Sequence, residues 1–422
     1  MQARQNLRII LLCILLTGGM LLHFTGCSAE IKAADLMEGI KAGPVAEKAA
    51  DEAFLLASAD FAAALFRNIS ASGQQENPLV SPLSAMLALA MTANGADTQT
   101  KAEMEKVLGG SLPIEELNEY LHTYVKNLPS GEKSRLEIAN SIWFRADEGL
   151  LQVNSEFLQK NADYYNAAAY QSAFDSQTVK DINCWIEKNT DGMIDKIIEE
   201  LDSSEMLYLI NALVFDAEWE TPYQKHDVVG GTFTRGDGTA CDVQMMRSCE
   251  TKYIRDENAV GFIKNYKGGK YGFAALLPDE AIPLEEYAAS LSGARLLSVF
   301  SNAESASVDA WLPKFSCEYS AALNDALAQM GMSSAFSSET ADFTRLGSSS
   351  LGNLYIGKVI HKTFISVSEL GTRAGAASAV SIEAKSAPMY DYTVKLDRPF
   401  VYAIIDNAAN LPIFLGTMQI PS

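Results

Sequence analysis

The stretch from Gly371 to Lys385, Gly-Thr-Arg-Ala-Gly-Ala-Ala-Ser-Ala-Val-Ser-Ile-Glu-Ala-Lys, constrains this chain more than any other. Its composition suits a small-residue linker, but its pattern has a period of two. Thr372, Ala374, Ala376, Ser378, Val380 and Ile382 form one set, small to medium and uncharged. Arg373, Gly375, Ala377, Ala379, Ser381 and Glu383 form the other, so both charges fall on one face. A segment written this way is able to become a strand, and its uncharged face can slide between existing strands without leaving a buried charge unpaired.

The rest of the chain supplies a body for such a segment. Hydrophobic residues make up 48% of the 422, ample for a sizeable core and too dispersed for a multispan membrane protein. Lys and Arg number 33 against 53 Asp and Glu, and a net charge of −20 leaves no electrostatic reason to bind nucleic acid. The acids are spread out, with short clusters such as Glu199-Glu200-Leu201-Asp202, which reads as a solvated surface.

Residues 1–26 fit a secretory signal peptide, with Arg4 and Arg8 ahead of an apolar run from Ile9 to Leu22. Phe24-Thr25-Gly26-Cys27 resembles a bacterial lipoprotein cleavage site, with Phe24 where Leu is usual. Acyl chains on Cys27 would add about 0.8 kcal/mol per buried methylene and hold the protein durably on a membrane; the alternative is plain secretion. Residues 27–52, rich in Ala, Glu and Lys, read as a tether, and 53–422 as one α+β domain. Of the remaining thiols, Cys184, Cys241, Cys249 and Cys317 form no CxxC pair; two bridges or four buried thiols fit, and buried thiols are favoured.

Phe54, Phe61, Leu65 and Phe66 recur at helical spacing, and Ser81-Pro82 reads as an N-cap opening an apolar helix that runs to Gly95. Strands are expected at Leu136–Phe144, Met206–Phe215, Tyr271–Leu277, Val308–Leu312, Leu354–Ser368 and Thr393–Ile405. Helices are expected at Thr178–Leu201 and Tyr319–Met330.

Signs of an enzyme are thin. His23, His122, His226 and His361 are the whole supply of imidazoles, and no Ser sits in G-x-S-x-G. Neither H-E-x-x-H nor paired Cys ligands occur, so no metal is expected, and Gly268-Gly269-Lys270 lacks the rest of a phosphate loop. Ser130-Gly131-Glu132-Lys133 matches S-x-x-K by letter alone. His361 shares a strand face with Val359, Thr363, Ile365 and Val367, which suggests a half-buried histidine held by hydrogen bonds.

Several long-range motifs now fall in order. They are Asn77-Pro78-Leu79-Val80-Ser81-Pro82 with Ser84; Asn183-Cys184-Trp185-Ile186 through Thr190-Asp191-Gly192; and Leu209-Ile210-Asn211-Ala212 through Trp219. Pro313-Lys314-Phe315, Glu369-Leu370-Gly371-Thr372 and Asp397-Arg398-Pro399-Phe400 complete the set. From about Phe54 to Pro421 the sequence resembles the serpin family.

The resemblance implies an α+β fold in which helices surround a large central β-sheet and two smaller sheets, with an exposed reactive loop, here about 369–392. It implies a suicide inhibitor rather than an enzyme: a protease cleaves the loop and is acylated on it, and the loop then enters the central sheet and drags the protease with it, a switching transition of known type. No cofactor is implied, and a monomer forming a covalent 1:1 complex with an extracellular serine protease is expected.

By the same resemblance Ser81, Ser84, Asn211 and His361 form a hydrogen-bonded gate beneath the parting strands, while Lys314 and Glu369 pair near Trp219 at the loop's entry point. The hinge comprises Glu369, Gly371, Thr372, Ala374, Ala376 and Ser378. Leu370 and Arg373 stand where inhibitory members usually carry acids, and Ser378 where Thr is common. Counting as the family does, the reactive bond is Lys385-Ser386, fourteen residues beyond Gly371, and a Lys bait implies a trypsin-like target. A shift of register within 384–390 would bring Ala384, Ser386 or Ala387 to an elastase-like pocket, or Met389 or Tyr390 to a chymotrypsin-like one. Papain-like targets, a non-inhibitory member of the fold and a plain protease substrate stay open as alternatives.

Overall fold

The extended Ser81 accepts the Ser84 N–H on its side chain, and Pro82 follows where a missing N–H costs nothing, so an apolar helix begins there as expected. The computed structural model describes residues 30–73, 76–128, 130, 133–146, 151–350, 352–372 and 389–421. Among them the helices are α1 (Glu52–Ala71), α2 (Pro82–Ala93), α3 (Thr98–Gly109), α4 (Ile114–Asn127), α5 (Ser155–Tyr165), α6 (Ser176–Asn189), α7 (Leu284–Ser290), α8 (Gly293–Ser301) and α9 (Asn324–Gln329).

The strands are β1 (Ala34–Asp35), β2 (Leu79–Val80), β3 (Ser134–Arg145), β4 (Leu151–Val153), β5 (Ala168–Ser172), β6 (Leu207–Glu218), β7 (Val228–Thr234), β8 (Ala240–Arg255) and β9 (Ala259–Asn265). They continue with β10 (Tyr271–Pro278), β11 (Glu304–Pro313), β12 (Phe315–Ala322), β13 (Gly347–Ser349), β14 (Lys358–Val367), β15 (Gly371–Thr372), β16 (Tyr392–Lys395), β17 (Phe400–Asp406) and β18 (Leu411–Met418).

A seven-stranded sheet runs in the order β1-β5-β3-β6-β15-β14-β12. A nine-stranded one runs β16-β11-β8-β9-β10-β17-β18-β2, with β7 also on β8, so two layers expected to be separate are continuous through the 16-residue β8. The buried helix α2 lies between the two sheets, touching β6 and β3 of one and β18 of the other. This places its first turn, Ser81 to Ser84, directly beneath the middle of the large sheet.

Several boundaries differ from expectation for local reasons. The helix predicted to reach Leu201 stops at Asn189, because Asn183 serves the following backbone in place of helical bonds: its side chain accepts the Ile197 and Ile198 N–H and donates to the Ile198 carbonyl. Residues 319–322 belong to β12, where Phe315, Cys317, Tyr319 and Ala321 face inward by alternation, and only Asn324–Gln329 is helical. The predicted strand from Leu354 starts only at Lys358, and 393–405 is two strands separated at Asp397-Arg398-Pro399, where Pro399 has no N–H for a ladder.

The expected tether is docked wherever it is described. Lys32 and Ala33 N–H donate to the buried Asp181 carboxylate at 3.1 and 2.9 Å, β1 pairs antiparallel with β5, and Gly43 N–H donates to Asp163. Leu36, Met37 and Ile40 pack on the main core, which composition alone did not announce. Cys184 and Cys317 are buried free thiols; Cys241 is half-buried and Cys249 exposed, so the four-buried-thiols expectation holds for two, and none of the four is bridged.

Candidate functional site

The site lies along the seam between β6 and β14. Their parallel pairing runs from Tyr208 opposite Lys358 to Leu213 opposite Thr363. Above it the two-residue β15 sits between them, with Thr372 opposite Ala217 on one side and Val367 on the other. The beginning of the alternating segment is therefore already a strand of the large sheet. Gly371 is required there: a Cβ would stand 2.0 Å from the Ala217 carbonyl oxygen, inside any permitted contact.

Halfway down the seam is a polar rung. Asn140, Asn211 and His361 are register partners across β3, β6 and β14. Asn211 Nδ2 donates to Asn140 Oδ1, to Ser84 Oγ at 2.5 Å and to the Ser84 carbonyl at 2.6 Å. Ser84 Oγ donates on to the Ala212 carbonyl at 3.2 Å. Ser81 N–H donates to His361 Nε2 at 3.0 Å, which makes that nitrogen the acceptor and leaves Nδ1–H to donate to Asn211 Oδ1.

Ser81, Ser84, Asn211 and His361 are all fully buried, and burial pushes the imidazole down to about 3. With both nitrogens engaged, His361 has no free lone pair for a reacting group. The sequence reading thus has these four residues meeting at one point, but it missed Asn140. Nothing local singled it out, since β3 also carries Ser134, Arg135, Glu137, Ser141 and Arg145.

The upper end of the seam is an aromatic platform. Trp219 is fully buried and stacks on Tyr266 with centroids 4.5 Å apart. Its Nε1–H donates to the Ser368 carbonyl and its backbone N–H to that of Leu370, while Tyr223 N–H donates to the Glu369 carbonyl. Lys314 Nζ meets Glu369 Oε1 at 2.7 Å, both side chains about one-third exposed. Partial burial raises the Glu369 carboxyl, but the Lys314 hydrogen bond and charge bring it net below its ordinary value. A pair this open to solvent contributes at most about 1 kcal/mol.

Beneath the platform lies an ion pair that was not anticipated. Lys264 is 2% exposed; its ammonium reaches Glu250 Oε1 at 2.8 Å and lies over the rings of Tyr223 and Trp219 at 4.3 and 5.5 Å. Ser248 Oγ also donates to that carboxylate. Removing one partner of so buried a pair costs about 3–5 kcal/mol, so it fixes the platform in place even if its net contribution is small.

Of the sequence-predicted residues, Glu369, Gly371, Thr372, Lys314 and Trp219 meet at the upper end of the seam. Ala374, Ala376, Ser378, Lys385, Ser386 and Cys27 lie outside the described residues.

The family model described as Serpin (serine protease inhibitor) matches residues 56–421. An uncharacterized serpin-like protein of Thermococcus kodakarensis is 32% identical over 361 residues, 83% of this chain and 82% of that one. The native-state crystal structure of tengpin, a thermophilic serpin, superposes with a TM-score of 0.88 at 52% identity, covering 92% of this chain and 99% of its own. Human thyroxine-binding globulin, solved in complex with its hormone, aligns at 25% identity and TM-score 0.78 over 87% of this chain and 98% of its own.

Proposed function

The chain belongs to the serpin family, and on that premise we propose that it is an exported suicide inhibitor of extracellular serine proteases, held at a membrane through a lipid on Cys27. The observation that carries this reading is the seating of Gly371 and Thr372 between β6 and β14. Continuing that register would bring Ala374 opposite Phe215 and Ile365, Ala376 opposite Leu213 and Thr363, and Ser378 opposite Asn211 and His361, each small and uncharged. Ile382 would reach Leu207, the first residue of β6, and Lys385 would stand three residues past the sheet's edge. The path from Thr372 to Lys385 is about 43 Å at about 3.3 Å per residue, enough to carry an attached protease from one end of the sheet to the other.

In this reading the protease's serine Oγ attacks the Lys385 carbonyl, the bond to Ser386 breaks, and the departing Ser386 amine takes up a proton. An ester remains that water would hydrolyse to Lys385 carboxylate and free enzyme. Insertion competes with that hydrolysis, and its winning makes the inhibitor. A Lys at the bait position favours a trypsin-like target; elastase-like and papain-like proteases are the alternatives. Use of the fold as a binding module, as in the globulin above, or as a plain substrate is the rival reading.

Incubation with trypsin and with neutrophil-type elastase, resolved on a denaturing gel with mass spectrometry of the released peptide, tests the reading. A band surviving denaturation and a peptide beginning at Ser386 are expected with trypsin. Thr372→Arg, which puts a charge on the inserting face, should convert the adduct into cleaved product. Quantitative cleavage of the natural sequence without any adduct would overturn the inhibitor reading for these enzymes.

A further inference from the structure

The lone described partner of the Tyr266 hydroxyl is the hydroxyl of Thr372, 2.5 Å away, and both side chains are fully buried. Tyr266 has no freedom to follow a moving partner. Its ring is stacked on Trp219 and set edge-on to Phe215 at 4.9 Å, its backbone bridges Trp219, and its N–H donates to the Tyr271 carbonyl. Trp219 in turn is packed above the Lys264–Glu250 ion pair. The oxygen of Tyr266 is thus a fixed point at the mouth of the seam.

We propose that Tyr266 is a positioning residue for loop insertion, whose hydroxyl holds Thr372 in the sheet so that insertion starts from a rung already formed. This rests on the inhibitor reading above. Thr372 is already paired on both sides, to Ala217 and to Val367, so continuing the strand downward leaves this rung where it is. The Tyr266–Thr372 bond therefore need not break during insertion, and it spares the chain the entropy of bringing the first residue into register. Without it, either buried hydroxyl lacks a partner, the rung is weakened, and more acylated protease escapes by hydrolysis before insertion begins.

Tyr266→Phe, Thr372→Val and the double variant test this, each titrated against the protease that forms an adduct with the natural sequence. Each single variant should raise the number of inhibitor molecules consumed per protease trapped by about three- to tenfold, the rate expected to be lost with one buried hydrogen bond. The association rate should stay within about twofold, since docking precedes insertion; general damage to the fold would move both. The double variant should be no worse than the singles, as expected when both act through one bond. A stoichiometry unchanged in Tyr266→Phe, or losses that multiply in the double variant, would overturn the proposal. Hydrogen exchange of a peptide covering 368–372 gives a reading that needs no protease: protection should fall in Tyr266→Phe, and unchanged protection sinks the latch even if no adduct ever forms.

Discussion

Both nitrogens of His361 are committed, one accepting from Ser81 and the other donating to Asn211, so a second proton can enter only by breaking the Ser81 bond. In the unfolded chain the same ring titrates near 6.5, whereas burial holds it at about 3 in the fold. The unfolded state therefore binds a proton that the folded state refuses, and stability is full above about pH 6.5 and falls as the pH drops from there toward 3. The slope reaches about 1.4 kcal/mol per pH unit. Chemical denaturation between pH 5 and 6.5 should show it, and His361→Gln should flatten the slope while lowering stability at neutral pH; an equally steep slope in the variant would refute the assignment. His361 was legible because period-two alternation put it on the inward face with Val359 and Ile365. Asn140, Tyr266 and Lys264 were not, since each takes its meaning from a partner on another strand, up to 106 positions away for Tyr266 and Thr372.

Elements with a burial pattern of their own were readable and those defined by docking were not. The ten residues of β14 alternate without fault, and α2 announced itself by its cap. By contrast Ile194, Ile197 and Ile198 keep helical spacing yet are not helix, because Asn183 accepts the N–H of Ile197 and Ile198 and Thr190 Oγ1 that of Ile194. The segment around β1 looks like a tether in composition, and its place comes from partners far along the chain, the buried Asp181 and strand β5 among them. Asp181→Ala leaves the Lys32 and Ala33 N–H groups without an acceptor, an expected loss of about 1–3 kcal/mol from the docked segment. Thermolysin, a metalloprotease with no serine for the proposed trap to hold, should then cut faster before Leu36 and Ile40 than in the natural sequence. Equal cutting rates would mean that the β1–β5 pairing and the contacts of Leu36, Met37 and Ile40 suffice.

At the scale of the molecule, the large sheet is a structure with one strand begun. The family and its central sheet were legible from scattered motifs, several of which bring Ser81, Ser84, Asn211, Lys314 and Glu369 to the seam. The continuity of the second sheet through β8 was not, since nothing local distinguishes one long strand from two. Two residues of β15 also do something that no contact inventory reveals: they set a reading frame. On the inhibitor reading, a strand continued from Thr372 would have every later residue assigned to the interior or to solvent in advance, as codons are assigned by the first one read. Deleting Ala377 should act as a frameshift, bringing Glu383 into the place of Ile382 against Leu207 and abolishing protease trapping. Inserting one alanine after Val380 in the same chain should act as its suppressor, restoring both frame and length and with them the adduct. If the deletion alone traps protease as well as the natural sequence, the frame is not set at Thr372. If the chain is such an inhibitor, its trapping is lost and recovered by the parity of an insertion or deletion, and the loop is read by count as well as by composition.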